Sequence, residues 1–330
     1  MTERMRILSG MRPTGRFHLG NYLGAAKNWV ELQNEYDCFY FVADYHALTT
    51  EPDGHTVESK IFDLTADLLA VGLDPNRSVI YQQSKVPEVA ELTLLLSMVT
   101  PLSWALRTPT FKEMAKKHPD NVNLGLLSYP VLQGADIIIV KGVGVPVGKD
   151  QLAHLELIRE IVRKFNRIYP RKSGPVFPEP RALLTQTPLI RGTDGKQRMS
   201  KTVGNIIGVT DAPEVIRKQV QSMVTDVKRA YMTQPGHPRT CNVCATYKYF
   251  FDDWQHYWDL CRKAQIGCGE KKKLLAERMI EVFRPFREAR AELTPEYVAG
   301  ILEGGSDKAR DVARRTLAEA REAVGLPASH

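Results

Sequence analysis

Met5-Arg6-Ile7-Leu8-Ser9-Gly10-Met11-Arg12-Pro13-Thr14-Gly15-Arg16-Phe17-His18-Leu19-Gly20-Asn21 is the stretch that decides the fold. Met5 to Leu8 is an apolar run of strand length, broken by Ser9-Gly10 and then by Pro13-Thr14-Gly15. Past the break, Leu19, Leu23, Ala26 and Val30 recur at helical spacing, so a helix is expected from about Leu19. The pattern repeats further along the chain. Cys38 to Ala43 and Ser78 to Gln82 read as strands, and Ile137-Ile138-Ile139-Val140 as a fourth. Between them lie a helix striped by Ile61, Leu64, Leu68 and Val71, ending at Gly72 and Asp74-Pro75, and one opened by Pro87 and running through Leu96. Gln151 to Phe165 is a further helix. Strands apolar on both faces, alternating with helices, imply a parallel sheet covered on both sides. The fold class is therefore α/β, a doubly wound, Rossmann-like sheet.

After about Pro180 the texture changes. Ile190 to Arg198 is a polar, glycine-punctuated loop, and beyond it helices dominate. Asp211 is expected to N-cap one with Pro213 in its first turn, Lys271 to about Leu293 forms a long one, and Ser306 caps a last one ending near Val324. A division into residues 1–205, α/β, and 206–330, mainly helical, follows, with the last helices free to pack back on the first part. A chain of 330 residues suits about two domains. Its 43% hydrophobic and 25% charged composition excludes collagen-like and wholly disordered classes. No apolar run approaches the ~18 residues that span a bilayer, and the opening residues carry no secretory h-region. The expected compartment is the cytoplasm. The net charge of +7 fits a polyanionic partner without demanding one, and on charge alone a solvated basic helix face is the favoured reading.

Two segments carry chemistry. In open α/β sheets, ligands bind beyond the carboxyl ends of the strands. The loop after the first strand delivers His18 and Asn21 to a helix N-terminus, an anion site by its free N–H groups and dipole. Gly20 leaves room for a nucleotide. The loop is neither a Walker A loop nor a GxGxxG fingerprint, which argues against a dinucleotide-binding oxidoreductase. The second segment is Arg198-Met199-Ser200-Lys201-Thr202, a basic loop able to fold over a triphosphate and neutralise a leaving pyrophosphate. Alone, either one reads as a structural or solvated loop.

In this order, the pair resembles the HIGH and KMSKS signatures of the class I aminoacyl-tRNA synthetases. Along nearly its whole length the chain is similar to the bacterial tryptophanyl-tRNA synthetases. Pro13 to Ala25, Ala43-Asp44-Tyr45-His46-Ala47-Leu48-Thr49, Tyr129 to Ile137 and Val145 to Gln151 match family blocks. Arg198 and Thr202 stand where Lys and Ser are usual, and Lys149 where an acidic residue is common. The resemblance implies activation of L-tryptophan by ATP with Mg²⁺, then transfer to tRNA(Trp), by a homodimer whose helical C-terminal part grips the anticodon. It assigns His18, Asn21 and Lys201 to the transition state. It assigns ATP to Arg12, Pro13, Thr14, Gly20, Asn21, Gly148, Lys149, Asp150, Leu189 and Arg198 to Thr202. Asp136 would accept the indole N–H, which is a donor only; a capping carboxylate is the alternative. Tyr129, Gln133 and Gln151 would hold the amino and carboxylate groups. His46 lines the pocket or is a core histidine. Tyrosine specificity and a non-catalytic RNA-binding paralogue are the competing functions.

Of the five cysteines, Cys241, Cys244, Cys261 and Cys268 cluster, which in a cytosolic chain suggests a metal more than disulfides. Some members of the resembled family carry a [4Fe–4S] cluster near the anticodon site. Cys241, Cys261 and Cys268 resemble three of its ligands, and Lys271 stands where the last would be, leaving Cys244 as a replacement. The spacing is unlike a zinc ribbon's paired knuckles, which favours iron–sulfur over structural zinc; free buried thiols are the third possibility.

Overall fold

A computed structural model describes residues 4–49, 56–117, 119–148, 151–184, 190–200 and 203–327. Five strands, β1 (Arg6–Met11), β2 (Asp37–Val42), β3 (Ser78–Gln82), β4 (Gly144–Val147) and β5 (Arg181–Leu184), form one parallel sheet in the order β3-β2-β1-β4-β5. The chain moves outward from β1 to β3, then crosses back to β4, so the order reverses between β1 and β4. Alternate strand residues feed two cores. Ile7, Cys38, Tyr40, Val42 and Ile80 face one side, and Leu8, Phe39, Phe41, Tyr81 and Val145 the other. This period of two, apolar on both faces, is what a sheet covered by helices requires.

The fourth strand is not Ile137–Val140. Those residues end the helix Leu124–Ile139, buried on every side. A continuous apolar run cannot tell a buried strand from a buried helix, and here the helix is long enough to win. The true β4 contains Pro146 and opens on Gly144, whose Cβ would sit 2.8 Å from Ile7 and 2.9 Å from Leu183 side-chain atoms. In the first helical segment a π-turn, Tyr22–Ala26, interrupts the α-helical ladder between Leu19–Asn21 and Lys27–Leu32. The extra residue turns the stripe, so Trp29 is buried where Val30 was expected.

Two expected caps are also corrected. Ala212, not Asp211, is the N-cap of Pro213–Gln221; the Asp211 carboxylate is drawn inward to Arg16 and accepts from Gln219 Nε2 at 2.8 Å. Ser306 lies inside the helix Pro295–Ala323, which Thr294 caps through Tyr297 N. Gly304-Gly305-Ser306 resembles a break, yet this helix runs along edge strand β3 there. A Cβ on Gly305 would fall 1.8 Å from the Ile80 carbonyl oxygen, and Ser306 Oγ accepts from Gln82 N at 3.4 Å. The last helix thus covers a sheet edge, and Lys141 to Glu319 at 2.7 Å and Arg310 to Glu88 at 3.2 Å fasten it there. Among the described residues no helix is long and apolar enough to cross a membrane.

Candidate active site

His18 has extended backbone, φ −137° and ψ 170°, and caps Leu19–Asn21. Its Nδ1 accepts from Gly20 N at 3.1 Å, while Asn21 Oδ1 accepts from His18 N at 3.1 Å. With Nδ1 accepting, the neutral ring carries its proton on Nε2 and can donate there. Burial lowers its pKa to about 4, so the ring is neutral at pH 7. The same loop is tied to the chain behind the second motif by an antiparallel bridge from His18 to Gly208 and by Leu19 N to Ile207 O at 2.8 Å.

The 190–200 loop folds as a tight antiparallel turn. Arg191 bridges Arg198, Gly192 N donates to Gln197 O at 2.8 Å, and Gly195 takes φ +69°. Asn205, 3% exposed, holds it from behind. Its Oδ1 accepts from Ser200 N at 2.7 Å and its Nδ2 donates to Arg198 O at 3.3 Å. A Cβ on Gly192 would fall 2.1 Å from that amide nitrogen, so glycine is required by close approach. Asn242 Nδ2 donates to Gly192 O at 2.8 Å from the far side. Met199 is buried, with its Cβ 3.7 Å from where a Gly20 Cβ would lie. The two motifs therefore touch. Lys149, Asp150, Leu189, Lys201 and Thr202 lie outside the described residues.

At the reversal of strand order is a cavity of about 250 Å³. Its lining includes Arg12, Gly148 and Gln151, together with His46, Tyr129, Gln133 and Asp136. Tyr129, Gln133 and Asp136 are spaced i, i+4, i+7 on Leu124–Ile139 and so share one helix face. Gly10, at the end of β1, has no side chain to collide with the Phe41 ring, which a Cβ would approach to 2.5 Å.

Asp136 is 1% exposed. Its Oδ2 lies 2.7 Å from His46 Nε2, and its Oδ1 accepts from Gln83 Nε2 at 2.8 Å. Burial raises its pKa, opposed by the His46 and Gln83 contacts. A carboxylate offers about four acceptor positions, so two donors leave room for a third from a ligand. Among the described residues, buried Gln133 Oε1 and His46 Nδ1 have no partner. The Tyr129 ring packs edge-on to His46 at 4.6 Å between centroids. Gln83 was not anticipated. It is fully buried on the turn that leaves β3, and its Oε1 also accepts from Tyr45 N at 3.1 Å. Its place just past a strand's carboxyl end was the available signal.

The cysteines gather differently from the anticipated four. Cys241, Cys244 and Cys261 are buried together, and Lys271 Nζ donates to Cys261 Sγ at 3.0 Å and Cys244 Sγ at 3.2 Å. Cys268 is half-exposed at the start of Cys268–Glu292. Among the described residues no group of three or more His, Cys, Asp or Glu side chains is arranged to hold a metal ion. An ammonium among three sulfurs does not fit a cationic centre.

Comparison with known proteins agrees with the geometry. The family model described as "tRNA synthetases class I (W and Y)" matches residues 1–284. The tryptophan–tRNA ligase of Thermotoga maritima is 45% identical, over 98% of this chain and 99% of the relative. That of Aquifex aeolicus is 38% identical over 98% and 100%. The crystal structure of tryptophanyl-tRNA synthetase from Campylobacter jejuni, complexed with ADP and tryptophan, superposes with a TM-score of 0.87 at 35% identity, covering 98% of this chain and all of that one. On the matched blocks, the touching motifs and near-full-length relatives, the chain belongs to the class I tRNA synthetases, among the bacterial tryptophanyl-tRNA synthetases.

Proposed function

We infer that the protein activates L-tryptophan with ATP and transfers it to tRNA(Trp), releasing pyrophosphate and AMP. The observation that carries this reading is Asp136, a buried acceptor held by His46 and Gln83 in a cavity sized for one small molecule. An indole N–H satisfies such an acceptor, and a ligand lacking that donor leaves it unpaired. The C. jejuni relative's tryptophan and ADP suit the same division, with the amino acid in the cavity and the nucleotide across the two loops.

Activation needs no protein nucleophile. The tryptophan carboxylate oxygen attacks the α-phosphorus in line, and the bond to the pyrophosphate oxygen breaks. Catalysis is then positioning and charge stabilisation. Tyr129, Gln133 and Gln151 orient the amino acid's polar groups. Neutral His18, donating through Nε2, and Asn21 stabilise charge on the phosphate, and Lys201 completes that set. Arg12, Pro13, Thr14, Gly20, Gly148, Lys149, Asp150, Leu189 and Arg198 to Thr202 bind ATP, with Mg²⁺ on its phosphates. In the second step the terminal ribose hydroxyl of tRNA attacks the adenylate's carbonyl and AMP leaves. Residues 1–205 form the catalytic unit of this reading and 206–330 the helical anticodon region, in a cytoplasmic homodimer. Charging of tRNA(Trp) transcript with tryptophan, and not of tRNA(Tyr) with tyrosine, is the expected result; the reverse preference would overturn the assignment of the pocket.

A further inference from the structure

Lysine is almost never fully buried unless paired, and Lys271 is 1% exposed. Its ammonium has three donors, two of them spent on Cys261 Sγ at 3.0 Å and Cys244 Sγ at 3.2 Å. The space is closed on other sides. A Cβ on Gly236 would sit 2.4 Å from Cys261 Sγ, and Tyr247 Oη donates to the Lys271 carbonyl at 2.7 Å. Three chain segments meet here: Cys241 caps Asn242–Tyr247, Cys261 lies near the end of Trp254–Arg262, and Lys271 sits in the first turn of Cys268–Glu292.

We propose that this sulfur nest holds no metal, because the Lys271 ammonium is its resident cation and joins the three segments in a metal's place. A metal ion among these sulfurs would face a positive charge about 3 Å from two of its ligands, without water to screen it. Cys268, one turn before Lys271 and half-exposed, is left outside the nest.

The test compares the full-length wild-type chain with Lys271→Cys, both purified without oxygen and then incubated with Co²⁺ or with iron and sulfide. The wild type is expected to carry only traces of iron and zinc and to develop no thiolate-to-metal charge-transfer band. Lys271→Cys, with four thiols in place, is expected to take up about one equivalent of Co²⁺ in a tetrahedral sulfur site. A stoichiometric metal or cluster in the wild type would overturn the proposal. So would a folded Lys271→Cys that stays metal-free, since Lys271 would then not be what excludes the metal. If Lys271→Cys fails to fold, the wild-type metal content, before and after incubation, decides alone.

Discussion

At the scale of single residues, the site rests on buried polar groups whose hydrogen-bond capacity is only partly used. Asp136→Asn keeps the shape of the side chain and removes its charge. Hydrogen bonds to charged groups are worth about 1.5–3 kcal/mol, so KM for tryptophan in pyrophosphate exchange is expected to rise roughly 10- to 100-fold. Gln83→Leu removes one neutral donor to Asp136, and a smaller rise, about 3- to 10-fold, is expected in the same assay. His18 supplies a pH signature. Its folded pKa of about 4 lies below the ordinary 6.5, so the unfolded chain binds more protons between those values. Its contribution to stability is therefore complete above about pH 6.5 and lost as pH falls through about 4. Denaturant titrations from pH 7 to 4 should show this slope, and His18→Asn should flatten it. His18, Asn21 and Asp136 were legible in the sequence because each sits in a motif whose chemistry needs that residue type. Gln83 was not, because its place past the carboxyl end of β3 is its only signal and the residue type carries no pattern of its own. Its role comes from the Tyr45 amide and Asp136 that the fold brings to it.

At the scale of elements, the basic loop is a shaped turn rather than a free strap. The Asn205 side chain makes two hydrogen bonds to its backbone and the Asn242 side chain another. Asn205→Ala removes about 1 kcal/mol per bond, so KM for ATP should rise about 5- to 30-fold with little change at the tryptophan site. Gly192→Ala should act in the same direction, because its Cβ displaces the Asn205 amide. Titrating ATP at saturating tryptophan checks both. Strands β1 to β3 were readable because their apolar runs are short and bounded by turn residues, and the helix Val57–Ala70 because its apolar stripe has a helical period. Ile137–Val140 misled because burial on all sides erases the period that separates helix from strand. Asp211 misled because a tertiary partner, Arg16, competed with the local cap.

At the scale of the whole molecule, the last helix returns from the C-terminal region to cover β3, and its close approach depends on Gly305. Gly305→Ala places a methyl against the Ile80 carbonyl, and overpacking of this kind costs about 1–3 kcal/mol. A lowered Tm is expected, with substrate KM values unchanged in the folded fraction. Gly304-Gly305-Ser306 reads as a break in the sequence alone, since only the neighbouring strand explains Gly305 inside a helix. The doubly wound order places the cavity where the strand order reverses between β1 and β4, and Arg12, Asp136 and Gly148 converge there from segments far apart in the chain. The central claim is that this convergence activates tryptophan. Pyrophosphate exchange into ATP, with tryptophan and tyrosine supplied separately, tests it most directly. Exchange that depends on tryptophan and is absent with tyrosine is the predicted result; exchange with tyrosine alone, or with neither amino acid, would contradict it.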